Sequence, residues 1–144
     1  MNPDTACRLV GTGAGLLDIT IPDWWRAQRP GLPTINLNLL DLADDCLCVL
    51  GQLHPDPQRV PGWSLYGYPS TVDSSTVLVV GFAAGRTALA LTEAQALTHG
   101  FDALDVDDLA LLTAAWRDLI AGRRGRAAGV RALLDTAAGA GGSR

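Results

Sequence analysis

The chain has 144 residues, enough for one domain whose core needs neither disulfide nor metal. Its 48% apolar and 18% charged composition belongs to a folded protein, not a disordered one. The net charge of −4 argues against a general nucleic-acid binder, which neutralises phosphates with Arg and Lys.

Charge is used unevenly. All 11 basic residues are Arg, and Glu93 is the sole glutamate among 15 acids. With abundant Ala and Gly, this is the coding bias of a GC-rich genome such as an actinobacterium's. The N-terminus lacks a basic region followed by an apolar core, so no signal peptide is read there. The apolar segment from Ser74 to Gly85 is far shorter than the roughly 20 residues that span a bilayer. The 3 cysteines do not suggest a secreted disulfide framework. The expectation is a soluble, cytoplasmic protein.

Residues 1–15 are expected to be poorly ordered at first, with Cys7-Arg8-Leu9-Val10 a short strand or helix start. Gly11-Thr12-Gly13-Ala14-Gly15 follows. Glycine runs can cradle phosphate, but this spacing matches neither the dinucleotide nor the P-loop pattern, so a flexible turn is predicted. Pro22 either opens a short helix or breaks one. Trp24 and Trp25 cannot both face inward on a regular element. One belongs to the core and the other is a candidate partner contact.

Arg29-Pro30-Gly31-Leu32-Pro33 is a turn by composition. Ile35-Asn36-Leu37-Asn38-Leu39 alternates apolar and polar residues, the period of a half-buried strand or extended segment. Asp41 or Asp44 is then placed to cap a helix, with Cys46, Val49, Leu50 and Leu53 along one face. Gly51 within that helix suggests close approach of another element, and Pro55 stops it.

The runs Leu40-Asp41-Leu42-Ala43-Asp44 and Cys48-Val49-Leu50-Gly51-Gln52-Leu53 resemble small actinobacterial and actinophage proteins that carry a CVLGQL motif. Leu16-Leu17-Asp18, Ile21-Pro22-Asp23-Trp24, His99-Gly100-Phe101-Asp102 and Leu112-Thr113-Ala114-Ala115-Trp116 resemble them too, in order, between about residue 14 and residue 124. The resemblance implies an actinobacterial or phage origin, and host cytoplasm as location if phage-encoded. It transfers no catalytic role. Cys46 and His54-Pro55-Asp56-Pro57 depart from the pattern.

Pro55 to Ser75 is predicted to be a long loop rich in Pro, Gly and aromatics. Loops of that length are often functional. Trp63, Tyr66 and Tyr68 are candidate partner contacts there, set against the alternative that they pin the loop to the core. Thr76 to Phe82 is β-branched and suits a buried strand, or Ser74 or Ser75 caps a helix running to Ala84. The resemblance favours helix.

Thr92-Glu93-Ala94-Gln95 is a capping box opening a helix that ends at Gly100. The next helix starts at Asp105, Asp107 and Asp108. Leu109, Leu112, Trp116, Leu119 and Ile120 form its face, and Arg117, Arg123 and Arg124 lie toward its end. After Gly125 a weaker helix, Val130 to Leu134, is expected to dock. Residues 139–144 are expected to form a flexible tail beyond a single domain of residues 1–138.

Cys46, Cys48, His54 and His99, with Cys7 in reserve, supply zinc-type ligands, but Cys46-x-Cys48 is tighter than the usual spacing of structural sites. Cys48, His99 and Asp102 could form a cysteine-dependent catalytic group if they met in space. No G-x-S-x-G, H-E-x-x-H or paired-carboxylate motif is present. Three arginines at a helix end are usually solvated and offset the dipole, so the Arg123–Arg131 cluster is a weak case for nucleic acid. The resulting expectation is a mainly α domain, with α+β as the variant. It would act as a non-enzymatic protein-interaction or accessory module without a cofactor. A small zinc-binding domain and a cysteine-dependent enzyme are the alternatives, and self-association stays open.

Overall fold

The computed structural model describes residues 1–44, 46–54, 78–81, 87–91 and 93–142. The described chain is mainly helical. Helix α1 spans Pro3–Thr20 and helix α4 spans Val106–Gly142. They run in the same direction, since Gly13 of α1 meets Trp116 of α4 and Asp18 meets Arg123 one to two turns later. Short helices α2 (Val49–Leu53) and α3 (Glu93–Thr98) complete the helical set among the described residues, and β1 (Leu78–Gly81) and β2 (Thr87–Ala90) pair as a two-stranded antiparallel sheet. Among the described residues, no helix is long and apolar enough to cross a membrane.

Helix α1 replaces the expected disorder and glycine turn. Asn2 accepts the Thr5 N–H at 2.8 Å and Pro3 sits in the first turn, a strong start signal. Ala6, Val10, Gly13, Ala14 and Leu17 form its buried stripe. Of the three glycines, Gly13 leaves room for close packing. A Cβ on Gly13 would overlap the His99 carbonyl oxygen and approach Trp116 Cζ2 to 2.9 Å. Their N–H groups lie mid-helix and serve the helix ladder, so no phosphate cradle forms. Pro22 follows the helix end at Ile21 and breaks the helix.

The core centres on Trp116. Its ring meets Trp24 edge-on at 5.7 Å and stacks on Phe101 at 5.2 Å. Its Nε1–H donates to the Gly100 carbonyl at 2.7 Å, which satisfies a fully buried donor. Gly100 ends α3 as expected. Its φ of 71° is left-handed, and Phe101 N–H donates back to the Ala96 carbonyl at 2.9 Å in a Schellman closure. Leu112, Trp116 and Ile120 are buried on α4, with Leu109 and Leu119 packed at the edge, as the periodicity predicts.

Residues 22–42 carry no regular element, so of the strand or extended segment expected over Ile35–Leu39 no strand forms, and residues 37–39 turn. Asn36 instead closes a turn, accepting the Asn38 N–H at 3.0 Å. A segment without a ladder needs other donors for its carbonyls. Helix α4 supplies them. Arg117 donates to the carbonyls of Leu37 and Leu40, and Arg124 donates to those of Trp25 and Ile35. Burial lowers the Arg124 pKa, and the two carbonyls offset that desolvation. Buried Arg29 does the same within the segment, reaching the carbonyls of Pro33 and Pro22.

The expected helix from Asp41 or Asp44 is corrected. Their side chains cap turns instead, Asp41 accepting Ala43 N–H and Asp44 accepting Cys46 N–H. Helix α2 starts only after Cys48, whose Sγ accepts the Gly51 N–H at 3.3 Å. Within the stretch where a helix was favoured, Leu78–Gly81 is instead a strand that pairs antiparallel with Thr87–Ala90, with Val79 opposite Leu89; residues 74–77 and 82–84 lie outside the described residues. The β-branched run follows its intrinsic preference once a partner strand is available.

Gly125 does not interrupt α4. The helix continues to Gly142, and Val130–Leu134 belongs to it without docking on the core. The expected tail of residues 139–144 is therefore helical as far as Gly142.

Candidate functional site

The last fully buried residue of α4 is Ile120. Beyond Arg124, which still grips Trp25 and Ile35, the helix projects as an arm of about 25 Å at the usual helical rise. Val130, Leu133 and Leu134 fall on one stripe of that arm at i, i+3 and i+4. They are 57%, 72% and 65% exposed. Contiguous exposed aliphatics on a helix mark a surface that something else can cover.

An open groove of about 690 Å³ runs along the inner side of this arm. Trp25, Ala127, Val130 and Leu134 give it apolar lining, while Arg26, Arg123, Arg126 and Arg131 make it cationic, with Asp135 at the far end. The turn after α1 places Trp25 and Arg26. Asp23 holds φ 57°, a left-handed value that Asp tolerates better than most residues, and accepts from Arg26 Nε at 2.9 Å. The Arg26 guanidinium then lies 4.6 Å from the Trp25 ring centroid.

Arg123 is committed to the fold. It reaches Asp18 through two nitrogens, at 2.6 and 3.0 Å, and Asp18 also accepts Trp24 Nε1–H at 2.8 Å. The Arg123 hydrogen bond outweighs partial burial and holds the Asp18 carboxyl below the usual carboxylate range. Among the described residues, Arg126 and Arg131 have no carboxylate partner. With Asp18, Asp23 and Asp135 set against the four arginines, the groove keeps an excess of one positive charge on a chain of net −4.

The sequence candidates divide. Trp25 is half-buried and lines the groove. Trp24 is fully buried against Trp116, so it has no surface to offer a partner. Trp63, Tyr66 and Tyr68, and the 55–75 loop that holds them, lie outside the described residues. Cys46 is half-buried, while Cys48 is buried as the N-cap of α2 and His54 is buried at the other end of that helix. His99 Nδ1–H donates to the Gln95 carbonyl at 2.7 Å, closing the end of α3. Asp102 accepts from the adjacent Ala103 N–H at 2.8 Å. Among the described residues no three His, Cys, Asp or Glu side chains converge as a metal-binding group.

The residues that sequence reasoning passed over are Arg126, Val130, Arg131 and Leu134 acting together. Their signal was present as an Arg cluster and an apolar repeat. Reading Gly125 as a helix break separated the two and sent the apolar half into the core. Comparison with known families, curated proteins and solved structures returned no match to this chain.

Proposed function

We propose that this chain is a non-enzymatic protein-interaction module whose partner surface is the arm of α4 with Trp25 at its base. The observation that carries the reading is the exposed stripe Val130, Leu133 and Leu134 on a helix that has left its core. Apolar residues at i, i+3 and i+4 are the anchors by which helices engage grooves or other helices. The rest of the fold acts as a base. Arg117 and Arg124 fasten the irregular segment to α4, so Trp25 is held at a fixed place beside the arm.

A photo-crosslinking residue at Leu133 of the full chain tests this, in the cells that carry the gene. The control position is Leu104, which is 86% exposed but lies before α4. A discrete adduct at 133 and none at 104 supports the reading. Equal labelling at both positions, or none at 133, contradicts it.

A further inference from the structure

Resting on that interaction reading, we infer that the groove between Trp25 and the α4 arm receives an acidic amphipathic protein segment. The argument is charge and shape taken together. Arg126 and Arg131 flank Val130 on the arm, and Leu134 follows one turn later, so cationic groups border an apolar floor. Arg26 and Arg123 already have Asp23 and Asp18, whereas Arg126 and Arg131 have no carboxylate partner among the described residues. A partner helix with apolar side chains on one face and carboxylates beside them would cover Val130 and Leu134 and pair both arginines. Such charge complementarity fixes register and speeds encounter.

Other occupants fit less well. A second copy laying its arm parallel to this one would bring Arg126 and Arg131 against the same residues, and an antiparallel one would offer a single carboxylate, Asp135, to the two arginines of each arm. A nucleic acid would find Arg126 and Arg131, but the floor is aliphatic. The Trp25 ring that could stack a base is covered by the Arg26 guanidinium at 4.6 Å.

The test uses the full chain and fluorescence anisotropy of a labelled helical peptide of Leu and Glu, about 20 residues long to match the arm. Controls carry Lys for every Glu, or Ser for every Leu. A single-stranded DNA of similar length is the remaining probe. One double variant joins Arg126→Glu with Arg131→Glu, and another joins Val130→Ser with Leu134→Ser. All four positions are exposed, and circular dichroism checks that each variant retains its helix.

The Leu/Glu peptide is expected to bind, with either double variant weakening it at least about tenfold. Arg126→Lys with Arg131→Lys should restore most of the binding. Undiminished binding in either disruptive double variant overturns the assignment, as does equal binding of the Lys peptide. DNA bound more tightly than the peptide, and lost with the arginines alone, overturns it in favour of a nucleic-acid surface. Failure of every probe while the Leu133 crosslink persists overturns the acidic-segment assignment and leaves the interaction reading intact. Loss of both removes the two together.

Discussion

Gly13 lies directly beneath Trp116, so close that a Cβ at residue 13 would stand 2.9 Å from Trp116 Cζ2. This contact sets the separation of α1 and α4. The second atom in the way is the His99 carbonyl oxygen, which is backbone and cannot rotate aside.

Alanine substitutions along α1 should therefore differ in sign. Gly13→Ala gains helix propensity but overpacks the helix contact, and a net loss of about 1–3 kcal/mol is expected. Gly11→Ala and Gly15→Ala meet nothing within 4 Å and should stabilise by about 0.5–1 kcal/mol. Urea unfolding of the three variants checks this. A Gly13→Ala variant that stabilises as Gly11→Ala and Gly15→Ala do would contradict the close approach at Gly13.

The ion pair between Asp18 and Arg123 should appear in acid. Arg123 lowers the Asp18 pKa in the fold. Its contribution is thus complete above the unfolded carboxyl value and is lost as pH falls through the lower folded value, in the region below about pH 4. Asp18→Asn should remove that part of the acid dependence. At neutral pH the loss should be about 1 kcal/mol or less, because the Asp18 side chain is 42% exposed and screened. Unfolding curves of wild type and variant at several pH values give the comparison.

Thiol labelling should separate the cysteines. Cys7 is exposed on α1 and Cys48 is buried at the start of α2. A thiol reagent should modify Cys7 in the native protein, with Cys48 protected until unfolding. Rapid native labelling of Cys48 would instead revive the cysteine-dependent reading.

Ending the chain after Ala128 should leave the core standing. The buried residues of α4 stop at Ile120, and Arg124, which holds the irregular segment, is retained. The expected loss in unfolding free energy is about 1 kcal/mol or less, as for surface changes away from the core. Binding of the acidic peptide should disappear. A truncated chain that fails to fold would mean that the arm contributes to the core.

The parts of this fold that were legible are those where a periodic apolar face coincides with a terminal signal. The α4 face through Leu112, Trp116 and Ile120 and the Gly100 exit of α3 are examples. Helix α1 was hidden because Ala6, Gly13 and Ala14 contribute little hydrophobicity. Their value lies in being small where Trp116 comes close, a tertiary fact. The irregular segment was hidden for a related reason. Apart from Arg29, the arginines that donate to its carbonyls are Arg117 and Arg124, 77 to 99 residues away and beyond any local pattern. At the candidate surface, the sequence showed that one of Trp24 and Trp25 leaves the core, but not which. The arm was not legible, because Gly125 looks like a break yet is carried through a continuous helix.

Hydrogen exchange along α4, with and without the Leu/Glu peptide, tests the central claim most directly. Without a partner the arm has little packing and contains several glycines, so its amides should exchange much faster than those around Trp116. Peptide should slow exchange from Arg126 to Gly139 and leave Leu109 to Ile120 unchanged. Protection that fails to appear on the arm, or that arises only elsewhere in the chain, would contradict the account.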